Sequence, residues 1–457
     1  MSNPGEADAT PIASIGQLAA HIAAGCKPAE HFTIGTEHEK FGFRLSDFSP
    51  PPYEPHGIRA VLEGIGADGW TPILDHDKPI GLTRGRAAVS LEPAGQLELS
   101  GGTLATLHDT RAEFDAHFAD VHRAADGLGL GFAPLGFHPV ATRDAMPWMP
   151  KSRYALMRRY MPLVGSMGLD MMTRTCTVQV NLDYASEADM VRKLRVATLL
   201  QPLATALFAN SPFTEGRPNG YQSYRAHVWT DTDNQRSGIP PVFFEDGFGF
   251  ERYAQWLIDE VPLYFVMRDG AYVDLAGQSF RALMDGTLDH PQAAAIGPAT
   301  IGDFADHMTT AFTDVRLKRF LEMRGADAGS PAMMLAQSAL WVGLLYDPAA
   351  LDAAAALVAA RPWTEFAALR GVVPRLGLGA PWGAGTLRDL ARDVLAIARD
   401  GLRARRRLDS AGQDETGYLA PLAAIAEGAP NQAEAWLARF HGVWGGDVTR
   451  IFAEAAV

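Results

Sequence analysis

Five glutamates on stretches of alternating residues carry the chemistry in this chain: Glu37, Glu39, Glu92, Glu98 and Glu322. In Ile34-Gly-Thr-Glu-His-Glu-Lys-Phe-Gly-Phe43, a strand's period of two puts Glu37, Glu39, Phe41 and Phe43 on one face. His38 and Lys40 fall on the other. Ionised carboxylates are seldom buried unless paired or bound to a cation. Such a face therefore either meets solvent at a sheet edge or binds metal, and three further stretches favour metal. In Gln96-Leu-Glu-Leu-Ser100, Gln96, Glu98 and Ser100 share one face and Leu97 and Leu99 the other, with Glu92 just before a Pro93-Ala94-Gly95 break. In Arg174–Asp183, Thr175, Thr177, Gln179, Asn181 and Asp183 oppose Cys176, Val178, Val180 and Leu182. In Arg319–Asp327, Glu322 and Arg324 oppose Leu321 and Met323.

Carboxylate and amide oxygens select hard cations, Mg²⁺ or Mn²⁺. Five carboxylates together call for more than one ion, and Mg²⁺ usually shares its shell with phosphate oxygens. Arg324 beside Glu322 offers a fork for a transferring phosphoryl group. The combination suits ATP-dependent phosphoryl transfer on an antiparallel sheet. Other common chemistries lack their motifs: there is no G-x-x-x-x-G-K-[ST], H-E-x-x-H, G-x-S-x-G or completed G-x-G-x-x-G. Gly127, Gly129 and Gly131 read as a turn.

The elements that must position these groups are legible around them. Apolar periodicity predicts helices over Ile12–Ala24, Ile58–Gly66 and Thr103–Gly127, and a strand over Trp70–Leu74. Ser186, followed by Glu187 and Asp189, reads as the N-cap of a helix running to Asn210 with a kink at Pro202. Long polar loops follow, at 210–220 and 230–238, of the kind that more often serve function than connection. From Ala332 onward the chain reads as helices covering the sheet.

At 457 residues, with 47% hydrophobic and 20% charged residues, the composition is that of a globular protein with a substantial core. A formal charge of −13 argues against nucleic-acid binding, and no apolar run is long enough to span a bilayer. The only cysteines, Cys26 and Cys176, exclude a disulfide scaffold and a cysteine-based zinc site. The start lacks the basic and apolar regions of a signal peptide. The expected compartment is the cytoplasm.

The segments Gly35-Thr-Glu-His-Glu-Lys-Phe-Gly-Phe43, Leu91-Glu-Pro-Ala-Gly-Gln-Leu-Glu-Leu-Ser-Gly101, Arg174-Thr-Cys-Thr-Val-Gln-Val-Asn181, Phe208-Ala-Asn-Ser-Pro-Phe-Thr-Glu-Gly216, Trp229-Thr-Asp-Thr-Asp233 and Leu321-Glu-Met-Arg-Gly-Ala-Asp327 resemble the plant and proteobacterial type of glutamate–cysteine ligase. The resemblance implies an α+β fold: a curved antiparallel sheet with helices packed behind it, like the glutamine synthetase catalytic domain. It implies a single catalytic domain over 1–457, sheet-bearing over about 30–330 and helical over about 331–457. It also implies the reaction, in which ATP phosphorylates the γ-carboxylate of glutamate and the amine of cysteine attacks the acyl phosphate.

By the same resemblance, Glu37, Glu39, Glu92, Glu98 and Glu322 hold metal, Gln179 lies at the edge of the site, and Arg324 meets the γ-phosphate. Arg225 and Arg153 clamp glutamate's carboxylate, and Tyr264 lines the cysteine pocket. The cofactors implied are ATP and Mg²⁺ or Mn²⁺, and the partners are glutamate, cysteine and ATP, with no nucleic acid or membrane. A γ-glutamyl ligase using another amine, and a non-catalytic nucleotide-binding relative, are the competing readings. The regulatory cysteines of plant members have no evident counterpart in Cys26 and Cys176.

Overall fold

The alternation after Ile34 becomes an eleven-residue strand, β1 (Ile34–Arg44), within a nine-stranded sheet. The computed structural model describes residues 8–457. The other strands are β2 (Thr71–Asp75), β3 (Lys78–Arg84), β4 (Ala87–Leu91), β5 (Leu97–Ser100), β6 (Leu130–Ala133), β7 (Thr177–Leu182), β8 (Val315–Leu317) and β9 (Leu321–Asp327). Their order is β8-β9-β7-β1-β5-β4-β3-β2, β6 pairs the far end of β1, and every pairing is antiparallel. This is the α+β architecture expected.

One face of the sheet is apolar. Val178, Val180 and Leu182 of β7, Leu97 and Leu99 of β5, and Val89 and Leu91 of β4 are all 1% exposed or less. They share a core with the helices Leu107–Asp126, Glu187–Leu207 and Pro331–Leu345. Burying each such side chain is worth about 1.5–3 kcal/mol. A one-residue slip would turn this whole set outward, so the register is strongly specified. That register turns the glutamates to the opposite face. His38 and Lys40 go with the apolar side: His38 meets Phe114 and His117 edge-on, and Lys40 Nζ donates to the Leu97 carbonyl at 3.1 Å.

Beyond Ser330 the chain is mostly helical, as its periodicity implies. Among the described residues no single helix is long and apolar enough to cross a membrane. Two local expectations change. Cys176 does not join Val178 on the apolar face, because β7 begins at Thr177. The Cys176 amide donates to Gly136 and its carbonyl accepts from Ala328, and the residue belongs to a second core that includes Phe41, Phe43, Trp444 and Phe452. Gly129 does make a turn, at φ +66°, but Gly131 already lies in β6. The helix Ser152–Val164 has no clean apolar period in the sequence, which Arg158, Arg159 and Pro162 interrupt.

The decisive irregularity is a bulge in β9, where the pairing with β7 shifts between Met323 and Ala326. The groups it releases from the ladder are taken up by side chains. Gly325 N–H donates to Gln201 at 2.8 Å, and Thr205 donates to the Gly325 carbonyl at 3.0 Å. The Arg324 carbonyl accepts from Arg225 at 2.9 Å. A Cβ at residue 325 would lie 2.3 Å from the Gln201 amide oxygen, so any larger residue there would displace the Gln201 side chain from the bulge. Bulges re-aim side chains at functional sites; this one sets Arg324.

Candidate active site

Antiparallel register gathers the acidic residues into a row across the middle of the sheet. Glu39 lies opposite Glu98, Glu37 opposite Gln179, and Glu322 opposite Asn181. Glu92 joins from the end of β4, where its amide and carbonyl close a turn with Gln96 and Gly95. Gln96 fixes that turn: its Oε1 accepts from Ala94 N–H at 2.9 Å, and its Nε2 donates to the carbonyls of Met172 and Thr175 at 3.2 Å each.

The two ends of the row differ in charge balance. Glu39 accepts a backbone N–H from Thr177 at 2.9 Å, yet its carboxyl is pushed well above the usual range by burial and by Glu92 and Glu98 beside it. Glu98 is raised as well, by burial with Glu37 and Glu92 adding to it, despite a bond from Ser100 at 2.5 Å. Glu322 is the reverse. Burial alone would raise it, but Arg316, Lys318 and Arg324 at 2.5, 3.1 and 3.0 Å hold it well below. Asn181 donates to Glu37 at 2.9 Å.

Arg324 Nη1 is held by Gln179 as well as by Glu322. Arg225, 4% exposed, rises from the short helix Tyr224–Val228. Its position is set by Asp327, which accepts from Asn210 N–H, Ser211 Oγ and Ser223 Oγ at 2.9, 2.6 and 2.8 Å. Ser211 in turn accepts the Arg225 amide, and Ser223 caps the helix through Ala226 N–H. The loop after Asn210 is thus the mount for Arg225. Its Nε is buried and makes no hydrogen bond within the protein, and the same holds for Arg153 Nε and Trp229 Nε1. These donors surround one cavity of about 780 Å³, lined by Glu39, Glu92, Arg153, Arg225, Trp229 and Arg324. A wider cleft of about 1410 Å³ meets the row from its Glu37 side, lined also by Gly35, Lys27, Arg86, Asn181 and Arg319.

Tyr264 does not line the 780 Å³ cavity; its neighbour Phe265 does. Tyr264 is 1% exposed, donates to Asp233 at 3.2 Å and carries the Arg236 guanidinium 4.0 Å above its ring. Asp233 and Arg236 pair at 2.6 Å with neither more than 1% exposed, so the 230–238 loop is pinned behind the wall that Tyr264 supports. Several site residues had no sequence signal. Asp327 falls past the bulge, where a period of two no longer tells the face. Lys151 lies in no alternating stretch; its Nζ donates to the Leu91 carbonyl at 2.9 Å, and burial pulls its pKa to about 7 against the pull of Glu92.

The profile of Glutamate-cysteine ligase family 2 (GCS2) matches residues 33–454. Chloroplastic glutamate–cysteine ligases are similar along most of the chain. That of Nicotiana tabacum is 48% identical over 445 residues, covering 96% of this chain and 82% of that one. That of Solanum lycopersicum is 49% identical over 440 residues, with the same coverages. The crystal structure of a Francisella tularensis glutamate–cysteine ligase in complex with AMP shares the fold, at a TM-score of 0.53 and 10% identity, covering 93% of this chain and 87% of that chain. The relatives correct one expectation: they are chloroplastic proteins, so the cytoplasm inferred from the start of the sequence does not stand. With a profile match over nearly its whole length and relatives close to half identical, the chain belongs to glutamate–cysteine ligase family 2.

Proposed function

We propose that this site joins the γ-carboxylate of glutamate to the amine of cysteine, using ATP through an acyl phosphate, to give γ-glutamylcysteine. This is the first step of glutathione biosynthesis. The observation that carries the reading is the row of carboxylates, reached by one cavity at Glu39 and Glu92 and by a separate cleft at Glu37. Phosphoryl transfer needs donor and acceptor roughly in line, with the charge between them neutralised. The 1410 Å³ cleft, with Lys27, Arg86 and Arg319 on its walls, suits a nucleotide whose phosphates point to Glu37. The 780 Å³ cavity suits glutamate, with its γ-carboxylate at Glu39 and Arg324 and its α-carboxylate on Arg225. Arg153 stands on the same wall as a second cationic arm for the amino-acid substrates.

The donor set fits hard divalent cations. Its atoms are carboxylate oxygens of Glu37, Glu39, Glu92 and Glu98, with the Gln179 amide at the edge, and the raised Glu39 carboxyl marks a cluster short of positive charge. Among the described residues no three acidic, imidazole or thiol side chains stand close enough together to hold a metal ion by themselves, so substrate phosphate oxygens and water have to supply the rest of its shell. Mg²⁺ favours such an open arrangement. Bound there, Mg²⁺ or Mn²⁺ neutralises polyphosphate charge. Glu322, the fifth proposed ligand, has both oxygens engaged and chiefly anchors Arg324.

Arg324, gripped on two sides, stabilises the charge that redistributes over the transferring phosphoryl group. Met157, Trp229, Phe265 and Phe312 give the cavity an apolar wall that keeps water from the acyl phosphate while the amine attacks. The test is ADP release with glutamate, with cysteine present, absent, or replaced by a panel of amines. The reading expects rapid release only with cysteine and its loss in Glu39→Gln. Equal rates with unrelated amines, or wild-type turnover in Glu39→Gln, contradict it.

A further inference from the structure

A second chamber of about 490 Å³ opens off the glutamate cavity and shares Arg225, Trp229, Phe312 and Arg324 with it. Its remaining charged residues are Asp314 and Arg370. Arg370 belongs to the helix Trp363–Leu376, within the stretch that reads in sequence as covering. We propose that Asp314, held in a fixed orientation by Arg370, binds the α-ammonium of glutamate and selects an α-amino dicarboxylic acid over a plain dicarboxylic acid. This rests on the reading of Arg225 as the α-carboxylate's partner.

The Asp314 carboxylate is gripped on both oxygens, by Arg370 Nε at 2.7 Å and Nη2 at 3.1 Å. A bidentate fork of this kind fixes orientation as well as charge. Each carboxylate oxygen retains a second lone pair, and the side chain is still 16% exposed within the chamber. The backbone on either side is fixed: Asp314 N–H donates to the Gly238 carbonyl at 2.8 Å, and its carbonyl accepts from Arg324 N–H at 3.1 Å. Asp314 therefore stands rigidly beside the arginine that meets the γ-phosphoryl group. Gly238 makes room for the clamp. Its φ is +86°, and a Cβ there would lie 2.6 Å from Arg370 Nη1.

The charge inventory matches one ligand class. Arg370 is committed to Asp314 and Arg324 to Glu322, which leaves Arg225, whose buried Nε makes no hydrogen bond within the protein, for the α-carboxylate and the outer face of Asp314 for the ammonium. Glutamate presents two carboxylates and one ammonium. Glutarate presents the carboxylates alone, so any discrimination between them through Asp314 isolates the ammonium.

The experiment measures KM for glutamate and the inhibition constant of glutarate against glutamate, which does not require glutarate to react. A charge-assisted hydrogen bond to a buried ligand corresponds to roughly ten- to a hundredfold in affinity. Asp314→Asn should raise the glutamate KM by about that factor, with glutarate inhibition unchanged or stronger and the KM for ATP unchanged. Arg370→Gln, which leaves the carboxylate but frees it to turn, should show the same selective loss to a smaller degree. Equal weakening of glutamate and glutarate in both variants, or no change in either, overturns the proposal. Arg225→Lys separates the two readings. If it leaves both glutamate and glutarate unaffected, the carboxylate assignment fails, whereas a selective result at Asp314 alone concerns the ammonium.

Discussion

Replacing Asp327 with asparagine should loosen Arg225 without touching the reacting groups. Asp327 is 1% exposed and accepts three hydrogen bonds, with Arg225 Nη1 3.9 Å from its Oδ1. An asparagine amide cannot serve all of these donors. With its oxygen at the Oδ2 position it still accepts from Asn210 and Ser211, and its NH₂ then faces Ser223 and Arg225. The loss is one charge-assisted hydrogen bond, about 1.5–3 kcal/mol, and the attraction to Arg225. At 3.9 Å and an effective dielectric near 20, that attraction is about 4 kcal/mol gross. Most of it is offset, because burial already raises the Asp327 carboxyl and a neutral side chain escapes that penalty. We expect a net stability loss of about 2 kcal/mol, and a glutamate KM raised about tenfold because the mount of Arg225 relaxes. The kcat should stay within about threefold, since Arg225 grips a group whose charge does not change in the reaction. Urea unfolding and steady-state kinetics with each substrate varied give both numbers. A glutamate KM equal to wild type in a destabilised variant would refute the claim that Asp327 positions Arg225.

Arg324→Ala should act differently, lowering kcat by on the order of a hundredfold or more with a modest change in glutamate KM; steady-state kinetics with retained kcat would remove it from the transition state. Both thiols are pushed above their usual pKa, Cys176 by full burial and Cys26 by partial burial with Glu187 and Asp189 nearby. Oxidant and reductant should therefore give activities within about twofold, checked by assay after diamide or dithiothreitol. Burial pushes His307 down to about 4 and His138 down to about 3. The unfolded chain then binds protons that the folded one refuses, so this stabilisation is present above about pH 6.5 and falls on acidification toward pH 4. Each histidine contributes a slope of about 1.4 kcal/mol per pH unit within that window. Urea unfolding at pH 7 and pH 5 should show a smaller drop in His138→Gln than in wild type; an identical drop would contradict the burial argument.

What the sequence discloses tracks where one periodicity survives. Around Glu98 and Gln179 each strand has one apolar and one polar face, so period two names both the core and the acidic row, and around Glu37 it still pairs the two glutamates on one face. The same rule breaks at its irregular points. The β9 bulge shifts the register after Met323, and so hides that Asp327 and Arg324 serve one arginine. β7 starts one residue later than the alternation suggests, which moves Cys176 to a different core. Arg370 lies in an alanine- and leucine-rich helical region whose periodicity reports packing and says nothing of a side chain reaching the site. Tyr264 immediately precedes the short strand Phe265–Arg268, whose first residue forms the wall, and a strand of four residues carries too little alternation for sequence to tell the two positions apart by depth. Roles such as carboxylate clamp or phosphate contact came through the family resemblance, because residue types alone left metal and solvent readings open.

The most direct test of the account uses glutamate labelled with ¹⁸O in its γ-carboxylate, incubated with cysteine, ATP and Mg²⁺. If the γ-carboxylate is phosphorylated before the amine attacks, one labelled oxygen per turnover leaves with inorganic phosphate, and ADP forms in equal amount. Mass spectrometry of the phosphate reads this without depending on any variant. Phosphate carrying no label, or label leaving with AMP, would contradict the acyl phosphate and the arrangement of the row that supports it.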